Sequence, residues 1–380
     1  MNSNKPLNIF LVAGEPSGDI LGAHLMDAIL RLQTNVQFQG VLGPKMRERK
    51  SRSIVSMESI STMGFKNIIF SLRQFYQIFV QVRQSILVSK PDIVVCIDSP
   101  VFNLRLAKSL RKHKFSGKIV QYVCPSVWAW GRGRIHTLVE NYNTLLSILP
   151  FEKEIFQKTS LKTHYIGHPL TSIISSHDYC TEWKLSRASP VISIFPGSRR
   201  QEIILNLRKQ FLAALQVSQN IPIAISIANP NLKILIQDIV FSTPRTESTQ
   251  VFFVPESYRY ELMRITKVAI ATSGTITLEL ALHQVPTVIT YGIQKLDQFL
   301  AKYIFQIRMP FYTLPNVISN SQVFPELIGP NFTVHNTSNA LQRCLTALYA
   351  EECRLKCKNI WDLLQPMDAN NEAAKAILDF

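Results

Sequence analysis

Short runs of aliphatic and β-branched residues alternate with amphipathic stretches over most of this chain, and no other feature limits its fold so strongly. A strand, a helix and a second strand in succession form a right-handed crossover. Consecutive strands then lie parallel, and helices cover both faces of the sheet. In the first half, LNIFLVA (7–13), DIVVCID (92–98), KIVQYV (118–123) and TLLSIL (144–149) read as strands, each ending in a turn. A polar, irregular stretch, SSHDYCTEWKLSRASP (175–190), reads as a linker. The pattern then restarts with VISIFPGSRRQE, IPIAISIA, VFFVPE, KVAIATSGT and PTVITYG. The expected architecture is α/β, with domains at 1–175 and 176–335. A helical 336–380 either caps the second domain or crosses back to the first. Open parallel sheets bind ligands at the carboxyl ends of their strands, so the turns after these runs are the places to look for chemistry.

Hydrophobic content of 46% and charged content of 18% suit a packed globular chain. The 41 Lys and Arg against 26 Asp and Glu give a net charge of +15. That favours an anionic partner: nucleic acid, a phosphorylated metabolite or an anionic membrane. Of the six cysteines only Cys353 and Cys357 are close, on one helix face rather than in a CxxC knuckle. They read as reduced thiols of a cytoplasmic protein, with no zinc site expected. The apolar run near the N-terminus stops at Gly14, too short for a signal peptide, and no run reaches the roughly 18 apolar residues of a membrane span.

Five turns carry candidate chemistry. CPSVWAWGRGR (124–134) has no helical or strand period and concentrates Trp128, Trp130, Arg132 and Arg134, as either a binding loop or a packed corner. FPGSRRQEI (195–203) sets Arg199 and Arg200 at a helix start that suits a diphosphate. The alternative is a helix capped by Ser198 with solvated arginines. ATSGTITLELAL (271–282) repeats the arrangement with Ser273, Gly274 and Thr275. Glu279 one turn on is either a ribose-binding acid or a carboxylate favoured by the helix dipole. Neither turn fits GxGxxG or GxxxxGK[ST], which disfavours a dinucleotide oxidoreductase or an ATPase. AGEPSGDILGAHLM (13–26) carries Glu15, Ser17 and Asp19, where Ser17 or Asp19 could simply cap a helix. CIDSPVFNLRLAK (96–108) ends a strand on Asp98, a candidate general base or a cap.

These segments, with LPFEKEIF, YIGHPL and LPNVI, follow the order and approximate spacing of the lipid-A-disaccharide synthase family, which the chain resembles from about residue 7 to residue 330. The resemblance implies a GT-B glycosyltransferase, with two Rossmann-like domains facing across a cleft, no metal and no cofactor. It further implies inversion at the anomeric carbon, joining UDP-2,3-diacylglucosamine to 2,3-diacylglucosamine 1-phosphate (lipid X) with release of UDP.

By the same resemblance Arg199 and the Ser273–Thr275 turn hold the diphosphate, Glu279 holds the ribose and Asn316 touches the donor. Asp98 deprotonates the acceptor with Glu15 and Ser17 nearby, while Trp128 and Trp130 shape the acceptor side, with Arg132 and Arg134 close to anionic groups. Asn67 in MGFKN departs from the family's MG-x-x-E, so a role tied to that acid does not carry over. A cytoplasmic enzyme, peripheral to the inner membrane and homodimeric through its C-terminal helices, is the implied setting.

The acid-free segment 65–91, with Lys66, Arg73, Arg83, Lys90 and the rings of Phe70, Phe75, Tyr76 and Phe79, is expected either as the membrane-facing surface, extended by 298–315, or as a core-packing helix whose basic residues face water. The rival readings are a UDP-sugar epimerase of the same architecture and a non-catalytic lipid- or nucleic-acid-binding protein. No nucleic-acid partner is expected.

Overall fold

The computed structural model describes residues 5–61, 68–128, 133–180, 190–219, 221–246, 249–293, 310–364 and 368–379. The chain divides into two compact units, Met1–Ser172 with Leu364–Phe380, and Ile173–Leu363.

The first unit is built on seven parallel strands: β1 (Leu7–Ala13), β2 (Val36–Leu42), β3 (Ser51–Ser56), β4 (Ile93–Ile97), β5 (Lys118–Tyr122), β6 (Thr144–Ser147) and β7 (Lys162–Tyr165). Their order in the sheet is β3-β2-β1-β4-β5-β6-β7. The apolar runs coincide with the central strands, because β4 is buried at every position and β1 at its last five. The strands that the apolar pattern does not announce are β2, β3 and β7. Of these β3 and β7 lie at the sheet edges, where half-exposed residues such as those of SRSIVS and KTHY suffice.

The second unit has six parallel strands: β8 (Val191–Phe195), β9 (Ile223–Ile227), β10 (Val251–Pro255), β11 (Thr266–Thr272), β12 (Thr287–Tyr291) and β13 (Glu326–Ile328), in the order β10-β9-β8-β11-β12-β13. Each sheet is therefore doubly wound. Strand order reverses between β1 and β4 in the first, and between β8 and β11 in the second. At the first reversal Ala13 lies opposite Ile97, and at the second Phe195 lies opposite Ala271.

The C-terminal helices divide between the units. The Val334–Cys344 helix puts Leu341 and Cys344 into the buried cluster of Ile192, Leu207 and Phe211. The Ala369–Leu378 helix instead packs on the Pro16–Leu32 helix, with Ala373, Ala374 and Ile377 in the core around β1. Lys118 at the start of β5 holds its end, donating from Nζ to the carbonyls of Ala376 (3.2 Å), Ile377 (3.0 Å) and Asp379 (2.8 Å).

The start of the expected linker is no loose connection. His177 Nε2 lies 3.1 Å from Glu261 Oε1, the Cys180 amide donates to the same oxygen at 3.1 Å, and the Tyr179 hydroxyl meets His283 Nε2 at 3.1 Å. Its aromatic and imidazole rings bind it to the second unit, while residues 181–189 lie outside the described residues.

Candidate functional site

In the first unit the β1 and β4 turns meet at the reversal of strand order. Glu15 follows β1 by two residues, is exposed and starts the Pro16–Leu32 helix without a side-chain cap. Ser17 is exposed in the first turn of the helix. Asp19 is buried and caps a different helix. Its two carboxylate oxygens accept the amides of Lys45 (2.8 Å) and Met46 (3.0 Å) at the start of Pro44–Arg47. Cap and site are therefore separated on this turn: Asp19 holds structure, and Glu15 and Ser17 stay open.

Asp98 follows β4 directly. It and Ser99 have φ of 49° and 45°, left-handed values that non-glycine residues avoid. The strain is held in place from two sides. Asn103 Nδ2 donates to the carbonyls of Ile97 (3.2 Å) and Asp98 (2.8 Å), and Gln121 Nε2 donates to that of Asp98 at 3.3 Å. The Asp98 carboxyl is raised above its ordinary range by burial first and by the charge of Glu15 second, with the Ser99 amide drawing it back. A half-buried carboxylate of raised basicity at a sheet's switch point is the right kind of group to accept a proton.

The tryptophan loop follows β5. Trp128 is half-buried, with its ring edge-to-face against Phe151 at 5.7 Å. Trp130 and Arg132 lie outside the described residues, and Arg134 is partly exposed in the Gly133–Asn141 helix. Beneath the loop is an acid that the sequence reading passed over. Glu152 is 1% exposed, and burial pushes its carboxyl up to about 8 against the pull of the Leu149 amide and the Trp128 indole. In LPFEKEIF it looks like an ordinary first-turn acid, and only the tertiary fold buries it.

In the second unit the two expected phosphate turns also meet at the reversal of strand order. The first is already partly filled. Glu202 Oε2 accepts the amides of Ser198 (3.1 Å) and Arg199 (3.3 Å), and Oε1 accepts from Arg199 Nη1 at 2.8 Å. Gly197, at φ 105°, admits this carboxylate, since a Cβ there would lie 2.5 Å from it. The helix cap is thus Arg199 with Glu202, not Ser198. The Arg199 side chain is 76% exposed.

The second turn is open, with Gly274 and Thr275 exposed and no atom near a Cβ built on Gly274. Glu279, 7% exposed, has its Oε2 3.0 Å from Arg259 Nε. Burial pushes its carboxyl up to about 7, with Arg259 drawing it down and Glu256 adding to the rise.

Asn316 is fully buried with all four side-chain positions occupied: Nδ2 donates to Phe324 O (2.8 Å) and Glu326 Oε1 (2.9 Å), and Oδ1 accepts the amides of Val323 (2.8 Å) and Phe324 (2.9 Å). It fixes the Leu314–Ser319 helix against β13 and has nothing left for a donor.

On the Ile68–Ser89 helix, Phe75 and Phe79 stack edge-on against Phe102 at 5.5 and 5.7 Å, and Arg83 Nη1 donates to Ser109 Oγ at 3.4 Å. Those three face the protein, while Arg73, Tyr76, Val88 and Lys90 are exposed. Lys66, Asn67 and 294–309 lie outside the described residues. No described helix is long and apolar enough to cross a membrane.

Two doubly wound parallel sheets in succession, each with its candidate residues at the switch point, define a two-domain protein of the GT-B fold. Over 99% of this chain and 100% of the other, it is similar to a solved UDP-GlcNAc 2-epimerase from Neisseria meningitidis, with a TM-score of 0.64 and 12% identity, a likeness of fold alone. The profile of the lipid-A-disaccharide synthetase family matches residues 9–378. A lipid-A-disaccharide synthase of Chlamydia pneumoniae is 41% identical over 92% of this chain and 59% of its own length. One of Pseudoalteromonas translucida is 33% identical over 89% and 88%. The chain belongs to the lipid-A-disaccharide synthetase family, as its motifs lead one to expect. It spans less than two thirds of the length of the chlamydial relatives that it matches.

Proposed function

We propose that the chain is an inverting glycosyltransferase that joins UDP-2,3-diacylglucosamine to 2,3-diacylglucosamine 1-phosphate in lipid A biosynthesis. One observation supports the reading beyond family membership: an acid of raised basicity stands at the switch point of the first doubly wound sheet, and two strand-to-helix turns meet at that of the second. Asp98 accepts the proton of the acceptor 6-hydroxyl as its oxygen attacks the anomeric carbon. The bond from that carbon to the diphosphate breaks, and UDP leaves with the electron pair. Arg199 and the Ser273–Gly274–Thr275 turn neutralise the diphosphate as charge builds on it, with Arg199 exchanging Glu202 for phosphate. Glu279 accepts the ribose hydroxyls, and Glu15 and Ser17 line the acceptor side with Trp128.

The setting is a cytoplasmic one at the face of the inner membrane, on an anionic leaflet contacted through Lys66, Arg73, Tyr76, Val88 and Lys90. Each basic residue there contributes about 1 kcal/mol. A homodimer sharing the C-terminal helices completes the reading.

The test is incubation with both lipids and mass analysis of the product. A disaccharide monophosphate formed only when both are present supports the reading. A donor converted to its epimer without acceptor would replace it with the epimerase reading.

A further inference from the structure

We propose that Arg259 is a positioning residue for the nucleotide, holding the Glu279 carboxylate oriented and charged so that it can accept the two hydroxyls of a ribose cis-diol. The inference rests on the reading of the second unit as nucleotide-binding. Nothing in the motif pattern singles out Arg259, which lies in RYELMRI, outside both phosphate turns.

A carboxylate that is 7% exposed and carries no counterion would remain protonated near neutral pH, and a neutral carboxyl offers a diol a weaker acceptor. Arg259 supplies the counterion, with Nε 3.0 Å from Glu279 Oε2. Its own place is fixed on other sides. Nη1 pairs with Glu256, Nη2 donates to the Tyr260 hydroxyl at 2.9 Å, and the guanidinium lies 4.5 Å from the centre of the Tyr260 ring.

The Tyr260 ring in turn stacks on His283, with centroids 5.2 Å apart and planes 26° from parallel. His283 Nδ1 meets the carbonyl of Glu279 at 2.8 Å, so Nδ1 carries the proton and Nε2 accepts from Tyr179. Burial lowers the imidazole, so the ring stays neutral. The arginine and the acid it serves are thereby braced through one platform. The charged groups bearing on Glu279 are Arg259 and Glu256, beside Tyr260 and His283.

The experiment is titration calorimetry with UDP and with 2′,3′-dideoxy-UDP between pH 5.5 and 8.5, for the wild type, Arg259→Met, Arg259→Lys and Glu279→Gln, with circular dichroism as the check of fold. The wild type is expected to prefer UDP by about tenfold or more once Glu279 is ionised, the worth of hydrogen bonds to a charged group. Glu279→Gln loses that preference at every pH. Arg259→Met retains its phosphate contacts, binds both nucleotides alike at pH 7 and recovers the preference only at higher pH. Arg259→Lys, a charge without the planar fork, falls between them and answers the question if the methionine variant does not fold. Wild-type discrimination by Arg259→Met or Arg259→Lys over the whole pH range overturns the proposal. A wild type that binds neither nucleotide overturns the reading of the site beneath it.

Discussion

Asp98 and Ser99 stand in left-handed conformation at the end of a fully buried strand, clasped by Asn103 and Gln121. The strained pair lies where the chain leaves the fully buried β4 at the reversal of strand order. If Asp98 is the base, the rate falls as pH drops through its raised value, because only the ionised form accepts a proton. Glu15→Gln removes the like charge, so the acid limb of the pH–rate profile should move to lower pH. An unmoved or raised midpoint would separate the two carboxylates.

Glu152 makes a prediction of stability. Its folded value of about 8 lies above the ordinary 4.5, so the unfolded chain gives up this proton first. Its stabilising contribution is then full below 4.5 and lost as pH rises to about 8. Calorimetric melting of Glu152→Gln should gain on the wild type between pH 5 and pH 8. An unchanged difference would mean that the acid is ionised in the fold.

At the scale of elements, the Ala369–Leu378 helix is held on the first unit by apolar packing and by Lys118 at its carboxyl end. Lys118→Met keeps the stem and removes three donated bonds, so amide exchange in 369–378 should accelerate about tenfold or more while β1 and β4 stay protected. Equal protection in the variant would assign the docking to packing alone.

The elements also mark how far the sequence could be read. Central strands were legible because burial on both faces leaves continuous apolar runs such as IVVCI and VISIF. The edge strands β3 and β7 carry no such run, and β13 has only three residues. LPNVI was legible as a motif but not as a role, since nothing local reveals that the Asn316 side chain is spent on Val323, Phe324 and Glu326.

At the scale of the molecule, two α/β units and their ligand-side turns followed from the alternation of runs, and the family followed from the blocks at those turns. The supporting residues did not. Arg259, Glu152 and Lys118 act through partners distant in sequence or through burial, and neither property has a local signature. The central claim, that Asp98 takes the acceptor's proton in a transfer that frees UDP, meets its most direct test in UDP release measured with both lipids for wild type and Asp98→Asn side by side. Wild type should release UDP only when acceptor is present, and Asp98→Asn should be slower by about 10²–10⁴ with UDP affinity unchanged. Release by Asp98→Asn within threefold of wild type would contradict the account.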